Sequence, residues 1–266
     1  MSRLTQEHGS KDIEWDNGLN DIITDTKNKE KKIILVDADS LIHSSIHPLK
    51  TEERDVYTFE EIDTIIIPKI KEKLYSLNEE INKGFNIQKM YCFVGGKGSY
   101  RKEIYPDYKA NRPVKLDILP EVYKKCIEEL NFIRAEDHLE ADDMLHILGN
   151  EYGKMSILCF IDKDLRQIPG IVYDYNKNIW YTITPEEARH SLAVQICTGD
   201  AGDNIKVNKG CGPAKAAKYI NLGMTNYQYI KNIIRLYRDY NKEIKDVKPL
   251  IRMTYKLVSL GTKHGR

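Results

Sequence analysis

Apolar residues in this chain follow two different spacings. Short apolar runs at residues 33–36, 90–94 and 155–160 are typical of buried strands. Apolar positions three or four residues apart predict helices over residues 59–81, 119–130 and 139–151. Strands and helices therefore alternate, which predicts an α/β fold class with a mostly parallel sheet flanked by helices. Ligands of such sheets bind at the carboxyl ends of the strands.

The two ends of the chain have different patterns. Residues 1 to about 30 are polar and show no period, which predicts a loosely ordered N-terminal extension. Further along, Thr184-Pro185-Glu186-Glu187 has the sequence of a capping box with proline in the first turn, so a helix is expected from there to about Cys197. The predicted organisation is an α/β domain over residues 31–198 and a basic helical region over residues 199–266.

Composition sets the class of protein. The 266 residues are 41% hydrophobic and 30% charged, which suits one sizeable core. No run approaches the roughly 18 apolar residues of a membrane span, and the N-terminus lacks the apolar stretch of a signal peptide, so we expect a cytoplasmic protein with no membrane partner. Five cysteines without a Cys-x-x-Cys pair indicate reduced thiols in ordinary packing rather than a disulfide framework or a zinc site.

Charge divides the chain into two parts. Residues 204–266 contain 14 Lys and Arg against 3 Asp and Glu, a net charge of +11. Residues 1–203 contain 27 basic against 37 acidic residues, a net charge of −10. A basic surplus of this size has the sign expected for binding a phosphate backbone, although an acidic protein partner would satisfy it too.

Four groups of acidic residues lie at the ends of predicted strands or at the starts of predicted helices. Taken singly, each is explained as a helix cap or a solvated charge. The fold would bring most of them to one edge of the sheet, where so many carboxylates need a counter-charge. Oxygen-only ligands favour Mg²⁺ or Mn²⁺, and two ions about 3.5 to 4 Å apart would suit phosphodiester hydrolysis. The groups are Asp37 with Asp39, Glu140 with Asp142 and Asp143, Asp162 with Asp164, and Asp200 with Asp203.

Two basic segments supply candidate nucleic-acid contacts. The first follows the second strand and interleaves cations with aromatic and polar side chains, which suits phosphate binding and base stacking but also fits a solvated loop. It contains Lys97, Arg101, Lys102, Tyr105, Tyr108, Lys109, Asn111 and Arg112. The second is a glycine turn into a helix, where backbone N–H groups can bind a phosphate unless the turn is a simple helix start. It contains Gly210, Gly212, Lys215 and Lys218.

These residues together resemble a known family. From about Ile33 to Ile220 the chain is similar to the 5′-nuclease (flap endonuclease) family, and most closely to its bacteriophage members, the phage 5′-3′ exonucleases and phage-type ribonuclease H enzymes. The motifs that carry the resemblance are Val36-Asp37-Ala38-Asp39, Tyr108-Lys109-Ala110-Asn111-Arg112, Glu140-Ala141-Asp142-Asp143, Asp162-Lys163-Asp164 and Gly199-Asp200-Ala201-Gly202-Asp203-Asn204.

The resemblance implies a fold and an activity. It implies a PIN-like nuclease domain with a helical arch at about residues 100–130, and a helix-hairpin-helix-like DNA-binding element at residues 204–220. It implies a metal-dependent 5′-3′ exonuclease and flap endonuclease in phage-type replication, repair or recombination. The substrates would be DNA flaps, nicks and duplex ends, or RNA-DNA hybrids. The protein would act as a monomer, in the host cytoplasm if it is phage-encoded.

The resemblance also implies residue roles. Asp37, Glu140 and Asp142 would hold the first metal ion, and Asp143 would lie between the metals. Asp162, Asp164 and Asp203 would hold the second ion, with Asp200 in its outer shell. Lys109 and Arg101 match arch-base residues that steer the scissile phosphate. Gly210 and Gly212 match the hairpin turn that binds duplex phosphates, with a K⁺ ion as a further expected ligand.

One position departs from the family pattern. Many members carry an aspartate just after the second strand, where this chain has Gly95-Gly96 and no acid. Our hypothesis is that Asp39 partly replaces that ligand, because residues two apart in an extended segment point to the same side. The alternative is that Asp39 caps the helix that follows it.

Two other functions remain open on the sequence. A haloacid-dehalogenase-like phosphatase would use Asp37 and Asp39 at the first strand end, but it leaves the later acidic motifs and the basic C-terminal part unexplained. A structure-specific DNA-binding protein without catalysis would explain the missing acid, although the other motif acids are present.

Overall fold

The computed structural model describes residues 30–46, 57–112 and 116–261. The predicted N-terminal extension therefore lies almost wholly outside the described residues. A six-stranded sheet has the order β3-β2-β1-β4-β5-β6, with four parallel pairs and an antiparallel β5–β6 edge. The strands are β1 (Lys32–Asp37), β2 (Ile87–Val94), β3 (Ile133–Arg134), β4 (Ser156–Cys159), β5 (Gly170–Asp174) and β6 (Ile179–Ile183).

The helices alternate with the strands in the first part of the chain and follow one another in the last part. They are α1 (Ala38–Ile46), α2 (Ile67–Asn82), α3 (Tyr100–Ile104), α4 (Leu119–Leu130), α5 (Ala141–Tyr152), α6 (Pro185–Thr198), α7 (Pro213–Ala216), α8 (Asn226–Tyr240) and α9 (Lys248–Val258). The three predicted strands correspond to β1, β2 and β4, and the predicted α/β class is confirmed. The apolar pattern did not identify β3, β5 or β6.

The predicted helix over residues 59–81 is divided. A π-helical turn, Ile62–Ile66, precedes α2, and Pro68 stands in the first turn of α2. Proline has no N–H to continue the α-helical ladder, which accounts for a changed hydrogen-bond pattern before it. The apolar face is nevertheless continuous, because Ile62, Ile66 and Ile70 are all buried.

The core follows from the alternation of side chains along β1. Ile34 and Val36 point into one apolar cluster, which α1, α2 and α4 cover. Ile33 and Leu35 point into a second cluster on the other face, which α5 covers. A third cluster joins α6, α8 and α9, so the basic helical region has its own apolar support. All five cysteines are buried and free, as the sequence predicted.

The expected arch over residues 100–130 stays a prediction, and its second half contains a helix with one buried face. Leu119, Val122 and Cys126 of α4 are buried in the core beneath the sheet, because the apolar face of this helix must be covered. In the described part of the first half, the five-residue helix α3 is followed by turns up to Arg112. Of the helices described, none has both the length and the apolar character required to cross a membrane.

Candidate active site

The end of β1 places the first acid. Asp37 is 1% exposed, and its Oδ1 accepts a hydrogen bond from the Ser40 N–H at 3.2 Å, so it caps the start of α1. Burial and the neighbouring charges of Asp39 and Asp162 raise the pKa of Asp37 to about 7. The fold therefore buries a carboxylate that a proton or a bound cation would stabilise.

Asp39 is not in an extended segment, so the stated premise of the Asp39 hypothesis is wrong. It lies in the first turn of α1, and the capping role belongs to Asp37. Its carboxylate accepts hydrogen bonds from the Gly95 N–H, at 3.2 Å to Oδ2, and from the Tyr123 hydroxyl. Burial raises the pKa of Asp39 despite these bonds.

The missing acid has a structural counterpart. A Cβ added at Gly95 would lie 3.2 Å from Asp39 Oδ2, so the Asp39 carboxylate lies directly beside the point at which a side chain of residue 95 would begin. A Cβ at Gly96 would lie 2.1 Å from the Glu136 carbonyl oxygen, which leaves no room for any side chain there. The backbone therefore excludes an acid at Gly96 and brings a different acid close to Gly95.

The N-terminus of α5 places the next acids. Glu140 is its N-cap and forms a reciprocal capping box with Asp143. Burial and the charges of Asp37 and Asp162 raise the pKa of Asp142 well above its usual value. We call Asp37, Asp142 and Asp162 the central carboxylates, since the charge of Asp162 raises the pKa of both Asp37 and Asp142, and the charge of Asp37 also raises that of Asp142.

A second set of acids follows β4 and α6. Asp162 Oδ1 accepts a hydrogen bond from the Asp164 N–H at 2.9 Å. Burial, Asp162 and then Asp200 raise the pKa of Asp164 to about 7, and Gln195 donates a hydrogen bond to Asp164 Oδ1. Asp200, rather than Asp203, is therefore the acid beside Asp164, while the metal-binding role of each stays a prediction.

Asp203 belongs to a different network. The Tyr108 hydroxyl lies 2.8 Å from both Glu140 Oε2 and Asp203 Oδ2, so these two carboxylates share one donor. The Lys109 ammonium lies 2.7 Å from Glu140 Oε1 and 3.8 Å from Asp203 Oδ2, and Arg112 pairs with Asp203 Oδ1. Burial would raise the pKa of Glu140, but the Lys109 and Arg101 charges lower it below its usual value.

Main-chain contacts fix this network in place. The Lys109 N–H donates to the Asp203 carbonyl at 2.9 Å, and Asn111 Nδ2 donates to the Ala201 carbonyl at 2.8 Å. Asn204 Nδ2 donates to the Asp107 carbonyl at 2.9 Å. Lys109 has a φ of 58°, a left-handed conformation that is uncommon outside glycine and is found at functional sites.

Three predicted roles are corrected by burial. Arg101 is 1% exposed and its five N–H groups are all engaged within the chain, so it has no donor for a scissile phosphate. Asp143 is fully buried, and its two oxygens accept four hydrogen bonds from protein donors, so it is not a free metal ligand. Tyr108 is 2% exposed and contacts acids rather than solvent, which removes it from the DNA-binding surface.

The other predicted cations and glycines lie on the surface. Lys97, Lys102, Arg112, Lys215 and Lys218 are exposed. Gly210 has a φ of 78°, and its carbonyl accepts a hydrogen bond from Lys215 Nζ at 2.8 Å. A cavity of 690 Å³ adjoins this turn, and its lining includes Lys206, Asn208, Lys209, Gly210 and Gly212.

Sequence reasoning missed the polar residues that support the acids. Tyr123 and Gln195 contact Asp39 and Asp164, and each lies on a helix whose apolar spacing gave no sign of a polar role. Asn204 was quoted only as the end of a motif, although its side chain joins two loops. These contacts link residues far apart in the chain, so a local pattern does not reveal them.

The acids fit a divalent ion by their chemistry. Within the described residues, no three His, Cys, Asp or Glu side chains already enclose a point at which a metal ion would fit. Protein cations engage Glu140, Asp143 and Asp203, whereas Asp142 receives no hydrogen bond from the described part of the chain. Buried carboxylates that raise one another's pKa are the donor set that a hard cation would relieve.

The comparisons with known proteins agree with this fold. The model of the 5′-3′ exonuclease N-terminal resolvase-like domain matches residues 32–192, and the chain belongs to that family. The family excludes the phosphatase alternative. The predicted PIN-like domain is confirmed, while the helix-hairpin-helix-like element stays a prediction.

Relatives and solved structures extend over most of the chain. Flap endonuclease Xni of Shewanella pealeana is 24% identical, covering 87% of this chain and 92% of its own length. Flap endonuclease Xni of Shewanella denitrificans is 23% identical, covering 86% and 92%. A mutant of the bacteriophage T5 5′-exonuclease has a TM-score of 0.56 at 16% identity, covering 87% of this chain and 89% of that one. A T5 flap endonuclease complex with DNA and metal ions has a TM-score of 0.54 at 15% identity, covering 87% and 90%.

Proposed function

We propose that this chain is a divalent-metal-dependent, structure-specific 5′-nuclease that hydrolyses phosphodiester bonds at DNA flaps, nicks and duplex ends or at RNA-DNA junctions. The observation that carries the proposal is the convergence of the central carboxylates at the carboxyl edge of the sheet, where burial and neighbouring acids raise the pKa values of Asp37 and Asp142. Membership of the 5′-3′ exonuclease family and the flap endonuclease relatives support the choice of substrate.

The first proposed metal ligands are the acids that form no salt bridge with a protein cation in the described part of the chain. Asp37 and Asp142, with Asp39 beside them, would hold one Mg²⁺ or Mn²⁺ ion, and Asp162, Asp164 and Asp200 would hold the second. Such ions, when bound, lower the pKa of a water and neutralise charge on the leaving oxygen. Glu140 and Asp203 are proposed as further ligands, and in the described structure they are held by Lys109 and Arg112.

Lys109 is the proposed phosphate-steering residue. Its side chain is 20% exposed at the edge of the site, between Glu140 and Asp203. Its left-handed backbone and its N–H contact with the Asp203 carbonyl fix where the side chain begins. A cation held in this position orients a phosphate before reaction and stabilises the charge that develops on it.

Two groups of basic and glycine residues are proposed to bind the substrate. Lys97, Lys102 and Arg112 are exposed around α3 and the turns that follow it. Residues 204–220 are proposed as a helix-hairpin-helix-like element that binds duplex phosphates through Gly210, Gly212, Lys215 and Lys218, with K⁺ at the turn. The net charge of +11 on residues 204–266 supports this assignment.

The test is cleavage of end-labelled flap, nicked and RNA-DNA substrates in Mg²⁺, in Mn²⁺ and in EDTA. We expect cleavage only with metal, and none by Asp142→Asn or Asp164→Asn, while both variants still bind the flap substrate in EDTA. Asp117→Asn, an exposed aspartate outside the acid groups, is the matched control. Binding by the wild type without cleavage in either metal would favour the DNA-binding protein without catalysis.

A further inference from the structure

Backbone carbonyls in the last described segment of the chain bind side chains that in turn contact the acids or their partners. We call residues 257–261 the C-terminal strap. Leu257 and Val258 are the last two residues of α9, Ser259 and Leu260 follow it, and all four are buried. Three successive carbonyls of the strap accept hydrogen bonds from side chains of the α/β domain, so the strap is bound through its backbone.

Arg101 is the first of the two side-chain connections between the strap and the acids. It donates to the Leu257 carbonyl at 2.8 Å and to the Ser259 carbonyl at 2.9 Å. Its other donors reach both oxygens of Asp143 at 2.8 Å and Glu140 Oε2 at 3.4 Å. Asp143 Oδ1 in turn accepts the Gly261 N–H at 3.0 Å. The strap is thereby joined to the start of α5, the helix that carries Asp142.

The second connection is a relay, by which we mean a chain of hydrogen bonds through two side-chain carboxamides. Gln167, which is 6% exposed, donates to the Val258 carbonyl at 2.8 Å and to Gln195 Oε1. Gln195 donates through its own Nε2 to Asp164 Oδ1. Gln167 Nε2 thus donates in two directions, to the strap and to Gln195, and Gln195 passes the orientation on to Asp164, so each carboxamide is oriented by its neighbour.

We propose that Gln167 and Gln195 are positioning residues for Asp164, and that the C-terminal strap holds this relay together with Arg101. This inference rests on the proposed function, since Asp164 matters as a metal ligand. The donor from Gln195 holds Asp164 Oδ1, which fixes the orientation in which the carboxylate is presented to a cation. Groups that orient a metal ligand in this way change metal affinity without touching the metal.

The test is calorimetric Mn²⁺ binding to Gln167→Met, Gln195→Met and the double variant. Methionine keeps the length of the side chain and removes the donor. Each single variant should weaken one Mn²⁺ site by about 10-fold. The double variant should bind no more weakly than Gln195→Met alone, because both changes break the same relay. The matched control is Gln228→Met, which removes one hydrogen bond of the α8 capping box and should lower the melting temperature without changing Mn²⁺ affinity.

Two results would overturn the inference: wild-type Mn²⁺ affinity in Gln167→Met, or losses that add in the double variant. If Gln167→Met does not fold, the less buried Gln195→Met decides the question, and unchanged Mn²⁺ affinity there overturns the relay. Wild-type protein that binds Mn²⁺ but cleaves no substrate would overturn the proposed function while leaving the relay to be judged by binding. Wild-type protein that binds no Mn²⁺ would overturn both.

Discussion

The Lys109 ammonium lies 2.7 Å from Glu140 Oε1, so the cation proposed to steer a phosphate is also the counter-charge of a proposed metal ligand. Lys109→Met should therefore have opposite effects on two steps. Single-turnover cleavage should fall by about 100-fold or more, because a preorganised charge at the phosphate is lost. Mn²⁺ affinity should stay the same or increase, because no ammonium competes for Glu140. Lys71→Met, at an exposed position on α2, is the control. Weaker Mn²⁺ binding by Lys109→Met would contradict the proposal that Lys109 is the counter-charge of Glu140.

Arg101 should matter for stability before it matters for catalysis. Arg101→Met leaves Asp143 buried without its cation, and the free energy of unfolding should fall by about 3 to 5 kcal/mol. Urea denaturation of the metal-free protein measures the change. Arg252→Met, at an exposed position on α9, should change it little. A stable Arg101→Met protein with impaired cleavage would instead support the original phosphate-steering assignment.

The acids predict how pH acts on the metal-free protein. Asp37 and Asp164 have pKa values raised to about 7, so the folded protein holds protons that the unfolded chain releases above about pH 4. The folded state binds more protons in this window, and the free energy of unfolding should therefore fall as pH rises from about 4 to about 7. Excess Mg²⁺ should reduce this loss, because a bound cation favours the ionised carboxylates.

Urea denaturation at about pH 5 and about pH 7.5, in EDTA and in Mg²⁺, measures the effect. Asp37→Asn and Asp164→Asn should each be more stable than the wild type in EDTA at the higher pH, since an amide cannot ionise. Asp117→Asn serves as the exposed control. Equal stability of the wild type and both variants at the higher pH would mean that burial and neighbouring acids do not raise the pKa values of Asp37 and Asp164.

Asp39 and Gly95 predict a metal titration. If Asp39 takes the place of the missing acid, Asp39→Asn should need more Mg²⁺ for half-maximal cleavage. Gly95→Asp should need less, because its Cβ would lie 3.2 Å from Asp39 Oδ2 and its carboxylate would add a ligand beside Asp39. Gly96→Asp should fail to fold, since its Cβ would collide with the Glu136 carbonyl. Superimposable Mg²⁺ curves for the wild type and Asp39→Asn would remove Asp39 from the metal site.

The hairpin lysines predict a salt dependence. Lys215→Ala combined with Lys218→Ala should weaken duplex binding, and each lost phosphate contact should reduce the log-log salt slope by about 0.9. Fluorescence anisotropy across a salt series in EDTA measures the slope without cleavage. Lys71→Ala with Lys89→Ala is the control pair on the α/β domain. An unchanged slope in the hairpin variant would show that residues 204–220 do not hold the duplex.

The sequence by itself determined the elements that depend on local pattern. Apolar runs specified β1, β2 and β4, because a buried strand needs uninterrupted apolar residues. The acids after β1 and β4 and at the start of α5 could be placed at one edge, because parallel strands share the direction of their carboxyl ends. The capping box at Thr184 is a local motif, and its helix begins at Pro185 as predicted.

Only the tertiary structure decided which polar groups face one another. Arg101 and Lys109 look alike in the sequence, yet the strap carbonyls bury Arg101 against Asp143 while Lys109 reaches the surface. Asp200 and Asp203 belong to one motif, but a turn over residues 201–204 separates them, and they contact different partners. Side-chain direction at a loop depends on backbone angles and on contacts more than a hundred residues apart, neither of which a local pattern contains.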